Sequence, residues 1–215
     1  MSKLIGFAGK AQTGKTTAAK VLEEKGYRIV SFASGVREEC VAFLEKYGIT
    51  FRMCNFYGTK EDKEEILTFG GCRRPLAETP EFLEFIHQQS PQALYALSFK
   101  FSARQLMQWW GTNYRRKQNS NYWVDKAGAR IEAFMKEGFN VTVDDCRFPD
   151  EAIMIKSLGG RMFCVVREDR PVIDGAEHES ETALDNFIGF DGYIMNHSGL
   201  DKYKAKILDI AKEKV

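Results

Sequence analysis

Histidine is scarce in this chain of 215 residues, and its cysteines are few and scattered: there are three of the former and five of the latter. No histidines have the spacing of a zinc site, and Cys40, Cys54, Cys72, Cys146 and Cys164 contain no C-x-x-C pair. An odd set of isolated thiols reads as buried or bland cysteines in a reducing cytoplasm, not as a disulfide framework. Long apolar runs are missing too. The opening "MSKLIGFAGK" is too short an apolar stretch for a signal peptide, and nothing approaches the roughly 18 apolar residues of a membrane span. Charge of one sign is also absent. Lys+Arg number 31 and Asp+Glu 30, a formal net charge of +1, so no broad electrostatic footprint for nucleic acid exists. These gaps predict a soluble cytoplasmic protein without a nucleic-acid or membrane partner. Its ligand is expected to be a small anion met by a few local arginines.

What is present is enough apolar material, 44% of residues, for one globular domain with a core. No internal repeat, low-complexity tract or interdomain linker stands out. Strands are expected at 3–8, 27–33, 139–145, 161–167 and 192–196, alternating with helices at 15–25, 35–48, 149–160 and from residue 200 onward. Alternation of this kind predicts an α/β fold with a parallel five-stranded sheet, joined by right-handed crossovers. The middle breaks the rhythm. Residues 49–79 are polar and glycine-punctuated. They are followed by helical patterns: Thr79 and Pro80 at a helix start, Ser102 and Gln105 spaced as a capping box, and an amphipathic run over 121–138. This stretch reads as a largely helical insertion over the sheet.

Residues 9–17, "GKAQTGKTT", match the pattern G-x-x-x-x-G-K-[ST], with a strand before it and a helix after it. Gly9 and Gly14 allow backbone N–H groups, from Ala11, Gln12 and Thr13 through Thr17, to turn inward around phosphate oxygens at the helix N-terminus. Lys15 is expected to reach the β- and γ-phosphates of ATP, and Thr16 to place its hydroxyl on Mg²⁺. In "VTVDDCRFPDE", Asp144 and Asp145 end a strand expected beside the loop strand, with Arg147 just beyond. Either acid could hold the metal through water, orient an acceptor, or simply cap a helix. Arg147 suits a bidentate grip on phosphate.

Arg104 and Gln108, four apart, share a helix face, so that one can hold a phosphate while the other reads a base edge. Arg115 and Arg116 follow one or two turns later and could enter the same cleft. The neighbouring Trp109 and Trp110 read first as packing against Leu106, with base stacking by one of them as the alternative. Arg167 and Arg170 flank the polar stretch "VVREDRPVIDGAEHESE", a candidate lid over approximately 167–180 that would bring arginines to a transferring phosphoryl group. In the same stretch His178 is a candidate hydrogen-bonding residue and Ser180 a helix cap. Arg37 is a candidate for the acceptor phosphate; Arg73 and Arg74 read equally as an exposed basic turn or as closing residues.

Together, "GFAGKAQTGKTTAA", "SFASGVRE", "FYGTKEDKEE", "ARQLMQWWGTNYRR", "NYWVD", "VTVDDCRFPDEAIMIKSLGG" and "HESE" resemble the phage deoxynucleoside monophosphate kinases, a branch of the P-loop nucleotide kinases. The resemblance spans nearly the whole chain, and R-x-x-x-Q-x-x-G-T, D-x-R-F-x-x-E and H-x-S-E carry it more specifically than the loop. It implies a single three-layer P-loop kinase domain over 1–215, with an acceptor-binding insertion at approximately 49–120 and a short lid. It also implies ATP- and Mg²⁺-dependent phosphorylation of a deoxynucleoside monophosphate (dNMP), in host cytoplasm for a phage-encoded chain, and is compatible with a homodimer. By position, Lys15 and Thr16 take the donor-phosphate and metal roles, with Asp144 as the second metal candidate. Arg37, Arg104, Gln108, Arg115, Asp145 and Arg147 fall on the acceptor side, and Arg167 and Arg170 on the lid side; Lys15, Asp145, Arg147, Arg167 and Arg170 are the catalytic candidates. One departure is that Gly35 and Arg37 stand where a bulkier residue and a lysine are expected. Two other readings stay open: a small-metabolite P-loop kinase such as dephospho-coenzyme A kinase, and a non-catalytic nucleotide-binding switch.

Overall fold

The structure is a computed structural model that describes residues 2–70, 79–89, 98–167, 182–197 and 199–212. Its described part divides into two compact units, one of Met1–Ala33 with Val124–Val215 and one of Ser34–Trp123. Cys72, Arg73, Arg74, Arg170, His178 and Ser180, and the expected lid beyond Arg167, lie outside the described residues.

The first unit is built on five parallel strands: β1 (Leu4–Ala8), β2 (Arg28–Val30), β5 (Val141–Cys146), β6 (Arg161–Val166) and β7 (Gly192–Met195), in the order β2-β5-β1-β6-β7. β5 lies beside β1, as the sequence predicts, and thereby separates β1 from β2. Alternation along β1 makes the layers. Leu4 and Ala8 pack on one face with Ala127 and Ile131 of α7 (Tyr122–Lys136) and Ala152 and Ile155 of α8 (Pro149–Ser157). Ile5 and Phe7 pack on the other with Ala18 and Leu22 of α1 (Lys15–Glu23) and Tyr203 and Ile207 of α9 (Leu200–Lys212). Helix, sheet and helix layers therefore enclose β1, buried on both faces, in the three-layer α/β fold expected of the chain. Boundaries shift slightly: β2 is three residues long, and the following helix, α2 (Phe32–Lys46), begins earlier than residue 35.

The second unit takes in most of α2, so it begins well before residue 49. It continues through α3 (Cys54–Tyr57), α4 (Lys60–Glu64), β3 (Ile66–Gly70), α5 (Glu81–Gln89), β4 (Ser98–Ser102), α6 (Ala103–Gln108) and a π-helix over Trp109–Arg116. The antiparallel β3–β4 pair was not legible, because its halves are separated by residues 71–97 and carry no tight-turn signal. Leu67 stands opposite Phe101, both buried, while Ile66 is exposed. The capping box at α6 is present: Ser102 Oγ accepts from Gln105 N at 3.2 Å, and Gln105 Oε1 from Ser102 N at 2.8 Å. The helix then widens to π geometry, which its residue pattern does not announce.

Aromatic rings dominate this unit's core. Phe82 lies 5.0 Å from Phe43, 5.5 Å from Phe85, 6.0 Å from Phe101 and 5.8 Å from Trp109, ring centroid to centroid. Trp109 and Trp110 are both buried here, which supports the packing role expected of them. Phe82→Ala is expected to destabilise the protein by about 3–5 kcal/mol, read as a shift in the denaturant midpoint; a loss under about 1 kcal/mol would contradict this packing.

Candidate functional site: the glycine loop and the strand ends

The loop after β1 is held open by conformation that only glycine adopts freely. Gly9 has φ 131° and Gly14 φ 108°, and Gln12, at φ 61°, is a positive-φ residue with a side chain. Space agrees with torsion. A Cβ on Gly9 would run into the Val165 carbonyl oxygen, and one on Gly14 would lie 2.6 Å from Asn196 Nδ2. Two groups outside the loop fasten it. Asn196 Nδ2 donates to the Thr13 carbonyl at 2.7 Å, and the Tyr203 hydroxyl donates to the Gly14 carbonyl at 3.0 Å. Inside it, Lys15 Nζ folds back and donates to the carbonyls of Gly9 at 2.6 Å and Lys10 at 2.7 Å. α1 starts at Lys15 without a side-chain cap and without an acid in its first turn, so its positive end is offered to a ligand anion.

Asn196 and Tyr203 were missed as site residues. The signal for Asn196 was its place immediately after β7, at the carboxyl edge of a parallel sheet, where ligands bind. Tyr203 carries no local signal. Its burial among Ile5-side core residues raises the phenol pKa far above the usual value, so it stays a donor to the loop.

Asp144 and Asp145 lie at a bulge. Between Gly6 and Ala8 on β1, the partners on β5 run from Val143 to Cys146, so β5 carries one extra residue there. Asp145 turns to the start of α2, where its carboxylate accepts from Ser31 Oγ at 2.6 Å, Phe32 N at 2.8 Å and Ala33 N at 2.9 Å. That is the capping alternative of the sequence reading, realised across the sheet. Asp144 lines the same cavity as Lys15 and Thr16.

That cavity, about 670 Å³, runs along the loop and the strand ends. Arg147, after β5, and Arg167, after β6, both line it, as do Asn196 and His197. A second cavity of about 260 Å³ on the other flank of the loop shares Arg147 and Arg167 and adds apolar walls from Val165 and Leu184. Arg147 is oriented by its neighbours: Glu151, buried in α8, accepts from the backbone N–H of Arg147 at 2.7 Å and of Phe148 at 3.1 Å. The first unit therefore brings together Lys15, Thr16, Asp144, Asp145, Arg147 and Arg167.

The remaining acceptor-side candidates belong to the second unit. Arg104 and Gln108 are both exposed on α6, and Arg104 Nη1 donates to Glu64 Oε1 at 3.0 Å. Arg37 stands within α2, its guanidinium 5.8 Å from the Tyr57 ring. Arg115 is differently placed. Its Nε donates to Glu39 Oε2 at 2.7 Å, and its guanidinium lies 5.5, 5.1 and 4.9 Å from the rings of Trp110, Tyr114 and Tyr122. Trp110 Nε1 and the Tyr122 hydroxyl also donate to Glu39, at 2.9 and 2.6 Å. Arg115 is thus neutralised inside an aromatic framework, an arrangement that supports the π-helix. The four described cysteines are free thiols; burial pushes Cys40, Cys146 and Cys164 up, away from thiolate chemistry.

Replacing Asp145 with Ala is expected to lower the stability of the nucleotide-free protein by about 1–3 kcal/mol in denaturant unfolding, with Asp145→Asn retaining part of it. An unchanged midpoint would contradict the capping role.

Among described residues no helix is long and apolar enough to cross a membrane. Residues 77–207 match the model of the family described as deoxynucleotide monophosphate kinase. A proposed deoxynucleotide monophosphate kinase of Acanthamoeba polyphaga mimivirus is 26% identical over 216 aligned residues, covering 95% of this chain and 94% of that protein. Among solved structures, dephospho-CoA kinase from Campylobacter jejuni superposes with a TM-score of 0.49 at 10% identity, covering 98% of this chain and 96% of that one. TT1252 from Thermus thermophilus superposes with a TM-score of 0.42 at 13% identity, covering 100% and 99%. The family match, across more than half of a chain whose glycine loop has the geometry of a phosphate cradle, identifies it as a nucleotide-binding phosphotransferase: it belongs to the deoxynucleotide monophosphate kinase family.

Proposed function

We propose that this protein passes the γ-phosphoryl group of ATP directly to a phosphate oxygen of a dNMP, giving ADP and the diphosphate for DNA precursor supply. The observation that carries the reading is the lining of the larger cavity: Lys15, Thr16 and Asp144 share it with Arg147 and Arg167, which arrive from two different strand ends. A binding switch needs only the loop; cations outside the loop suit an enzyme that must neutralise charge spread over a transferring phosphoryl group.

The loop amides and the α1 N-terminus would bind the donor phosphates. Lys15 would exchange its two loop carbonyls for phosphate oxygens, a switch that its present hydrogen bonds keep short in distance. Arg147 and Arg167 would hold the transferring group and the oxygens on either side of it in line. Asp145 takes a positioning role here, because its oxygens serve the start of α2. The donor set fits Mg²⁺: Thr16 and Asp144 supply hard oxygens, and among described residues no group of three His, Cys, Asp or Glu could hold a metal by itself. Such an ion binds through one or two protein oxygens plus phosphates and water, and when bound it would neutralise β- and γ-phosphate charge. No covalent enzyme intermediate is required, consistent with thiols raised by burial.

ADP release from ATP is expected to depend on a dNMP, and to fall by roughly a thousandfold in Lys15→Ala, as for loss of a principal charge-stabilising group. Equal ATP turnover with and without monophosphate would contradict the proposal. Gln108→Ala is expected to change the ranking among the four dNMPs more than the KM for ATP. A uniform loss over all bases would remove Gln108 as a base reader.

A further inference from the structure

The amino edge of the sheet, opposite the cavity of Lys15 and Thr16, holds another cavity of about 360 Å³. It opens where Lys3 precedes β1, Tyr27 precedes β2 and Asn140 precedes β5, and α9 walls it with Leu208 and Ala211. All of these residues belong to the first unit. β1 is five residues long, so at about 3.3 Å per residue roughly 16 Å of strand separates this cavity from the glycine loop.

Hydrogen bonds within the protein set these walls before any ligand arrives. Gly26, at φ 86°, forms the turn after α1, and Tyr27 N donates to the Leu22 carbonyl at 3.1 Å. The Asn140 carbonyl accepts from Arg28 N at 2.8 Å, and its side-chain Oδ1 accepts from Lys3 N at 2.7 Å. Lys3 Nζ donates to the Ala211 carbonyl at 2.5 Å, in the last turn of α9. These bonds use up acceptors, and what the cavity retains is donors.

Tyr27 is only 5% exposed, yet its hydroxyl has no hydrogen-bond partner among described residues. The bond from Lys3 N fixes which end of the Asn140 amide is oxygen, and the other end, Nδ2, has no partner among described residues either. Lys25 adds a cation that pairs with no described acid, whereas Lys212 is held by Asp209 at 2.9 Å. Among described residues no acid lines the cavity. Buried polar groups are ordinarily satisfied, and a ligand rich in acceptors would satisfy these. Leu208 and Ala211 offer it an apolar wall, and the volume lies within the range of small-molecule pockets.

We infer that this cavity is a second ligand site, which takes a small phosphate monoester carrying one flat ring. The ring lies against Leu208 and Ala211. Lys25, the Tyr27 hydroxyl and Asn140 Nδ2 donate to the phosphate; three donors suit its three terminal oxygens better than the two of a carboxylate. The site does not depend on the kinase reading.

The test is an NMR titration of the full chain that follows the Asn140 side-chain amide and the Gly26 and Tyr27 backbone amides. Phenyl phosphate is the probe, beside inorganic phosphate and benzoate. Phenyl phosphate is expected to shift these signals saturably, with the other two at least about tenfold weaker. Lys25→Met should raise its Kd about tenfold, for one charge-assisted contact, and Tyr27→Phe about fivefold, for one neutral hydrogen bond. Lys15→Ala, at the opposite edge, should change it less than about twofold. Because the Tyr27 hydroxyl gives up no bond within the protein, the Tm of Tyr27→Phe should equal or exceed that of the wild type. A cavity that holds water only, with no saturable shift, would overturn the site. So would inorganic phosphate or benzoate binding as tightly as phenyl phosphate, unchanged affinity in Lys25→Met or Tyr27→Phe, loss of the shifts in Lys15→Ala, or a lowered Tm in Tyr27→Phe.

Discussion

One steric constraint organises the carboxyl edge of the sheet: the backbone at Gly9 and Gly14 passes so close to β6 and to Asn196 that no side chain fits. Both residues also hold φ values that favour glycine. The closeness lets Asn196 and Tyr203 tie the carbonyls of Thr13 and Gly14, and α1 starts beside the cavity without a side-chain cap. A phosphate cradle is thus produced by packing rather than by flexible wrapping. Its fasteners come from β7 and α9, far along the chain, so the cradle exists only once the sheet is complete.

The bulge in β5 is the second device. There Asp145 secures the start of α2, while Asp144 lines the cavity shared with Lys15 and Thr16. Arg147 follows at once, with its backbone fixed by the buried Glu151. The short segment "DDCRFPDE" therefore combines a helix cap, a candidate metal ligand, a candidate phosphate-binding arginine and a helix start.

Much of this was legible in sequence. The loop pattern, the five parallel strands and the placement of Asp144, Asp145, Arg147 and Arg167 at strand ends all follow from spacing and periodicity, and the structure agrees. What was hidden depends on contacts between distant residues. β3 and β4 find each other across residues 71–97, and the π-helix follows an ordinary capping box. Asp145 becomes a cap only because β5 lies between β1 and β2. Charge pairing was hidden in the same way. Arg37, Arg104 and Arg115 look alike as sequence positions, yet Glu39 neutralises Arg115, Glu64 pairs with Arg104, and Arg37 has an aromatic ring for company.

The account rests on direct transfer between two bound nucleotides. ATP labelled with ¹⁸O in its terminal phosphoryl group tests this most directly, with the products separated and weighed after incubation with each dNMP. The account predicts the label in the deoxynucleoside diphosphate, in equal amount to the ADP formed. Label found in inorganic phosphate, with the monophosphate unchanged, would contradict it.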